Sequence, residues 1–185
     1  NDNKINFIFL KGVHLINVYY DDIIERPIRD VDILVHKKDI KKIVNILKKS
    51  GYSFEYDVDE SSLDYFLMNS YDIPVLIGKN GSRLEVHFSI ENPSSTKNCV
   101  FTERFFIDSQ KLKYGSSYAQ FLSDEDLILH LIYHGLKKSG PSVCIIFIYD
   151  IYKVLTSTNY KDSILIDKAQ IYDLTPHLKL VVELL

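Results

Sequence analysis

Arg29-Asp30-Val31-Asp32-Ile33-Leu34-Val35 is the stretch on which the reading of this chain turns. Val31, Ile33 and Val35 alternate with Asp32 and Leu34, the period of a strand. On a strand, period two puts Asp30 and Asp32 on the same face. Two carboxylates so placed repel unless positive charge stands between them. Mg²⁺ is a natural neutraliser, because it takes one or two carboxylates together with phosphate oxygens. Asp-x-Asp alone is a common pattern, most often a solvated turn. Here Asp32 is set among Val31, Ile33, Leu34 and Val35, where an unpaired charge is costly to bury. It therefore requires a polar cleft, an ion, or a partner such as Arg26 or Arg29.

Two flanking segments extend this reading. Upstream, Phe7-Ile8-Phe9-Leu10 is a short apolar run ending in Lys11-Gly12, which predicts a buried strand, a tight turn and a helix over residues 13–20. A glycine turn and a lysine at a helix start suit a phosphate, although the spacing is not that of a P-loop. Downstream, residues 73–77 and 82–90 predict a hairpin turned by Gly78-Lys79-Asn80-Gly81. Its second strand puts Leu84, Val86 and Phe88 on one face and Glu85, His87 and Ser89 on the other. A third carboxylate on a neighbouring strand would complete a site of the two-metal type. An amphipathic edge strand with Glu85 in solvent fits the same pattern.

The rest of the chain supplies helices. Ile40, Ile43, Val44 and Leu47 follow the spacing of a buried stripe and predict a helix over residues 39–49, stopped by Gly51. A strand is expected near residues 52–56. Lysines 37, 38, 41, 42, 48 and 49 take the polar side of that helix, which reads as a solvated face. Ser123 with Asp124, Glu125 and Asp126 opens a second helix. Gly140-Pro141 separates it from a third over residues 142–155. A last helix spans residues 167–185, with Pro176 kinking it or starting a new segment. His130 and His134 have helical i, i+4 spacing, but no Glu follows His130 in the zinc-protease pattern.

Length and composition bound the possibilities. The 185 residues suit one domain or one domain with a small appendage. With 46% hydrophobic and 25% charged residues, 7 Gly and 5 Pro, the chain is neither disordered nor repetitive. A net charge of −3 argues against a protein that coats nucleic acid. The longest apolar run, residues 143–149, is far short of the roughly 20 residues of a membrane span. The start of the chain does not form a secretory signal. Cys99 and Cys144 match no zinc or redox spacing, and Cys144 reads as a reduced, buried thiol, so the cytoplasm is the expected compartment. The chain begins at Asn1 rather than Met, which reads as a trimmed chain that could lack elements at either end.

The matched segments are Phe9-Leu10-Lys11-Gly12, Arg26-x-x-x-Asp30-Val31-Asp32-Ile33-Leu34-Val35, Gly51-Tyr52, Leu84-Glu85-Val86-His87-Phe88, Leu122-Ser123-x-Glu125-Asp126-Leu127-x-Leu129-His130-Leu131 with His134, and Tyr149-Asp150-Ile151. In this order the chain resembles the uncharacterised nucleotidyltransferase family of the DNA polymerase β-like superfamily. The wider superfamily carries Gly-Ser where this chain has Lys11-Gly12, a departure the resembled family shares. The resemblance implies an α+β nucleotidyltransferase fold. Its small mixed β-sheet, flanked by helices, would occupy residues 1–117, and a helical C-terminal region residues 118–185. It implies metal ligation and catalysis by Asp30, Asp32 and Glu85 with Mg²⁺ or Mn²⁺. Lys11, Gly12 and Arg26 would bind the phosphates of a nucleoside triphosphate such as ATP, and a nucleoside monophosphate would pass to an unknown acceptor: small molecule, protein or RNA. His87, His134 and Asp150 form a second tier, the last two as links between helical region and cleft. Loss of a metal-binding carboxylate would cost activity and leave the fold intact. The alternatives are an inactive nucleotide-binding or interaction module, and an antitoxin-like protein that nucleotidylates a partner.

Overall fold

The computed structural model describes residues 5–91, 100–138, 145–157 and 160–185, with the backbone alone at Val100 and Lys138. Both cysteines, the Gly140-Pro141 break and the first residues of the helix expected over 142–155 lie outside the described residues.

The apolar run after the N-terminus forms β1 (Phe7–Phe9), and the Asp-x-Asp stretch forms β2 (Val31–Val35). They pair antiparallel, with Phe9 opposite Ile33. Between them runs α1 (Lys11–Val18), then a single 3-10 turn at Ile23–Glu25. α2 (Ile40–Lys49) buries Ile40, Ile43 and Val44, and Gly51 ends it with a φ of +90°, which favours glycine. The six lysines of this region are exposed, as a solvated face requires. β3 (Ser53–Phe54) is shorter than the strand expected there.

α3 (Glu60–Asn69) has no forerunner in the sequence reading. Asp59 caps it by accepting a hydrogen bond from the Ser62 amide at 2.7 Å, yet Leu63 is its one buried residue, so the apolar stripe that announces a helix is absent. β4 (Leu76–Ile77) and β5 (Arg83–His87) form the expected antiparallel hairpin. α4 (Val100–Asp108) and the hairpin β6 (Gln110–Tyr114) and β7 (Ser117–Phe121) are also new. Side chains on this hairpin are mostly exposed, so no alternation marks them, although Tyr114-Gly115-Ser116 is a turn signal.

The seven strands form one mixed sheet in the order β3-β4-β5-β2-β1-β7-β6. β1 pairs parallel with β7, and β2 parallel with β5. β7 crosses residue 118, where the helical region was expected to begin. α5 (Asp124–Ile132), α6 (Ile145–Ser157), α7 (Asp162–Ile171) and α8 (Thr175–Leu184) follow it. The expected last helix is therefore two helices, and Pro176 stands in the first turn of the second, where its missing N–H costs nothing.

Each face of the sheet buries its own cluster. Ile33, Val35, Leu76 and Val86 pack with Ile40, Ile43 and Val44 of α2 and Leu63 of α3. Ile8, Leu10 and Leu34 pack with α4 and with the helices after β7, through Phe101, Phe105, Leu127, Ile151, Leu165 and Val181. Buried polar groups fix that second layer. Asp126, fully buried on α5, accepts from Lys168 Nζ of α7 at 2.7 Å and from the OH of Tyr172, just past the end of α7, at 3.1 Å. Strand alternation gives β2 a face with Ile33 and Val35 toward α2, and a face with Asp32 and Leu34 toward the helical layer.

Candidate active site

β2 and β5 place three side chains side by side. Asp32 is the register partner of Glu85, and Leu34 of His87. The helix-facing column of β5 therefore carries Glu85 and His87 beside Asp32. Potential ligand atoms of Asp32, Glu85 and His87 lie within 4.8 Å of one another. Asp30, half-buried, stands two residues before Asp32 at the end of the loop that enters β2.

Asp32 is 4% exposed and is compensated twice. Lys11 Nζ donates to Asp32 Oδ1 at 2.7 Å, and His87 Nε2 lies 3.0 Å from the same oxygen. Neither Arg26 nor Arg29, the partners weighed from sequence, takes this place. Burial alone would raise the Asp32 pKa, but the hydrogen bond to His87 and the charge of Lys11 outweigh it and hold it well below the usual range. His87 Nε2 also stands 3.6 Å from Glu85 Oε2. The hydrogen bond with His87 lowers the Glu85 pKa against its burial. Burial disfavours charge on His87 itself, yet its two carboxylate partners raise its pKa overall. Asp30 goes the other way: burial, then the charges of Asp32 and Glu85, push its pKa up.

These groups open into a cleft of about 640 Å³. Lys11, Gly12, Arg26 and Arg29 line it with the three carboxylates. Ile28, Ile146 and Phe147 form an apolar wall that sequence reasoning missed, because α6 meets the cleft only through the fold. His134 lines the same cleft from a π-helical stretch, Tyr133–Lys138, that continues α5. Such a widened turn re-aims side chains and recurs at functional sites.

At the turn after β1, Leu10 caps α1 without a side-chain hydrogen bond, so the first amides of the helix remain free for an anion. Gly12 is required by contact: a Cβ there would come within 2.5 Å of Ile28 Cγ2.

Arg26 is placed differently from its sequence reading at the phosphates. Its guanidinium grips Asp150 of α6, with Nε 2.9 and 3.1 Å from the two carboxylate oxygens and Nη2 at 2.9 Å. Tyr20 OH donates to Asp150 Oδ1 at 2.7 Å. Asp150 thus joins α6 to the loop leading into β2. Tyr20, 130 residues away in sequence, gave no local sign of this contact.

A strand carrying Asp32, a parallel neighbour carrying Glu85, and a helix starting between them and β1 form the architecture of nucleotidyltransferases. Two solved structures share the fold. The lincomycin-bound lincosamide antibiotic adenylyltransferase LnuA has a TM-score of 0.52 at 17% identity, with 83% of this chain and 88% of that chain covered. An antigenic nucleotidyltransferase-like protein from Paracoccidioides brasiliensis has a TM-score of 0.53 at 14% identity, with 97% and 84% covered. No curated protein matches the chain in sequence. The chain belongs to the uncharacterised nucleotidyltransferase family, which it matches over residues 1–185.

Proposed function

We propose that this nucleotidyltransferase moves a nucleoside monophosphate from a nucleoside triphosphate to a nucleophile on an acceptor, with pyrophosphate leaving. The observation that carries the reading is the register pairing of Asp32 with Glu85, with Asp30 two residues upstream. Three carboxylates supply hard oxygen donors, and ligand atoms of Asp32, Glu85 and His87 lie within 4.8 Å of one another, so the residues fit Mg²⁺ or Mn²⁺. Bound there, a divalent ion would polarise the acceptor nucleophile and neutralise charge on the triphosphate.

The chain's own residues do the rest. Asp32 and Glu85, on two adjacent strands, and Asp30, in the loop before β2, would hold the ions. Lys11 and the free amides of α1 bind phosphate oxygens, and Arg29 adds positive charge at the cleft rim. His87 holds Asp32 and Glu85 in fixed rotamers. Arg26 and Asp150 keep the loop and α6 at a constant distance, so the cleft width is set before substrate arrives. Most of the rate acceleration is then positioning and charge stabilisation. Ile28, Ile146 and Phe147 suit the apolar part of a nucleotide or of a compact acceptor. LnuA is a lincosamide antibiotic adenylyltransferase with lincomycin bound, and a small molecule is the acceptor we propose for this chain. Among the described residues no helix is long and apolar enough to cross a membrane, and the cytoplasm, rich in nucleotides and Mg²⁺, is the setting proposed.

The test is thermal unfolding with each of the four ribonucleoside triphosphates plus Mn²⁺, on wild type and on Asp30→Asn/Glu85→Gln. A ligand at about 100 times its Kd adds roughly 2.7 kcal/mol, or about 5–10 °C for a chain of this size. A metal-dependent rise confined to wild type supports the reading and names the base. No rise with any nucleotide rejects it in favour of an inactive interaction module.

A further inference from the structure

Lys11 occupies a backbone conformation that side chains seldom adopt, with a φ of +39° at the first residue of α1. A non-glycine residue held there stores strain, and such strain collects at functional sites. That conformation accompanies a contact: Nζ lies 2.7 Å from Asp32 Oδ1, and the lysine side chain is 14% exposed. His87 shares the same oxygen. Asp32 is the most buried carboxylate of the cleft, two residues after Asp30 and in register with Glu85 on the next strand. A divalent ion on Asp32 and an ammonium on Oδ1 would be neighbouring cations in a half-dry cleft, where like charges repel strongly.

We propose that Lys11 is a tethered cation that holds Asp32 in the nucleotide-free enzyme and yields it to a metal ion when a triphosphate gives the ammonium a new anionic partner. The proposal rests on the nucleotide site described above. Three features support it. Lysine is a compact charge on a flexible stem, able to leave one anion for another. Lys11 lines the same cleft as the uncapped start of α1 and Arg29, where phosphate oxygens would lie. Asp30, Asp32 and Glu85 line this cleft together, and ligand atoms of Asp32, Glu85 and His87 stand within 4.8 Å of one another, so an ion is favoured once Lys11 has moved. Metal and nucleotide then bind interdependently. Free metal binds weakly, and by linkage each ligand tightens the other by the same factor. The cleft takes up metal and triphosphate together.

The experiment measures Mn²⁺ binding by electron paramagnetic resonance, alone and with the four α,β-methylene ribonucleoside triphosphates. The proteins are wild type, Lys11→Met, Lys11→Gly and Asp32→Asn. Lys11→Gly removes the amine and also the backbone strain, so it decides the result should Lys11→Met fold poorly. The expected result is roughly tenfold tightening of Mn²⁺ by an analogue in wild type, an ordinary size for coupled ligands. Both Lys11 variants bind Mn²⁺ alone roughly tenfold more tightly than wild type and lose most of the analogue's effect. Variants that bind Mn²⁺ alone no more tightly than wild type, while Asp32→Asn loses the ion, overturn the proposal and leave the metal site standing. Absence of Mn²⁺ from wild type even with every analogue overturns the nucleotide reading, and this proposal with it.

Discussion

Asp32 of β2 and Glu85 of β5 are direct register partners across a parallel ladder, and the ring of His87 bridges their carboxylates from one side. The three carboxylates of the cleft are therefore not equivalent. Asp32 is paired with Lys11 and His87, whereas the charged form of Asp30 is disfavoured by burial and then by its carboxylate neighbours.

Removing each charge should separate these roles. Asp32→Asn leaves Lys11 and His87 without their shared anion and should lower stability by about 3 kcal/mol, the cost of breaking a buried pair from one side. Asp30→Asn relieves repulsion and should be neutral or slightly stabilising. Both should lower nucleotidyl transfer by at least about a hundredfold. Urea unfolding of the two variants, with pyrophosphate release measured in parallel, checks the contrast. Equal stability loss in both would contradict it. The simpler sequence expectation, that any carboxylate can be lost with the fold intact, does not extend on this account to Asp32.

The Arg26–Asp150 pair should behave as a buried ion pair. Asp150→Ala strands a guanidinium that is bidentate in the native state, and about 3 kcal/mol of stability should go with it, roughly 6–12 °C in Tm. Arg26→Lys should recover little, because an ammonium cannot reproduce the fork. The double variant Arg26→Met/Asp150→Leu should melt within a few degrees of wild type and yet transfer nucleotide slowly, since the loop before β2 is no longer registered to α6. Differential scanning calorimetry and a transfer assay together read this out.

Gly12→Ala should push a methyl group into Ile28, which it would meet at 2.5 Å. Overpacking of this kind costs about 1–3 kcal/mol. The displaced segment leads into Asp30, so nucleotide affinity should fall too. Adding Ile28→Ala opens the space and should restore part of both losses. Non-additivity in a double-mutant cycle is the measurement.

His14 makes the fold acid-sensitive. It is fully buried on α1, its ring packs against Phe121 at 5.0 Å between centroids, and neither ring nitrogen hydrogen-bonds a described protein group. Burial lowers its pKa from 6.5 to about 3. The unfolded chain therefore binds a proton below pH 6.5 that the folded protein refuses down to about pH 3. Stability is unaffected above pH 6.5 and falls as pH drops through that window, by about 1.4 kcal/mol per unit. His14→Phe should lose about 2 kcal/mol less than wild type between pH 6.5 and 5. Denaturant midpoints across that range test the sign.

By itself the sequence determined what local periodicity controls. Alternation put Asp32 on one face of a strand, and Glu85 and His87 on one face of another, while Asp30, expected on the same strand, ends the loop before it. The apolar stripe of α2 and the Ser123 cap of α5 are equally local. Elements without such a pattern escaped: α3 buries only Leu63, and β6 and β7 show mostly exposed side chains. The register that sets Asp32 opposite Glu85 was decided by the tertiary structure, because β2 and β5 are joined through more than 45 intervening residues that carry no record of pairing. So were the partners of the buried charges. Arg26 read as a partner of a phosphate or of Asp32, and the packing of α6 against the loop gave it Asp150. Lys11 reached Asp32 through a positive φ that no residue type announces. A charge's partner is fixed by which backbone is brought close in a low-dielectric interior, and that is a property of the assembled fold.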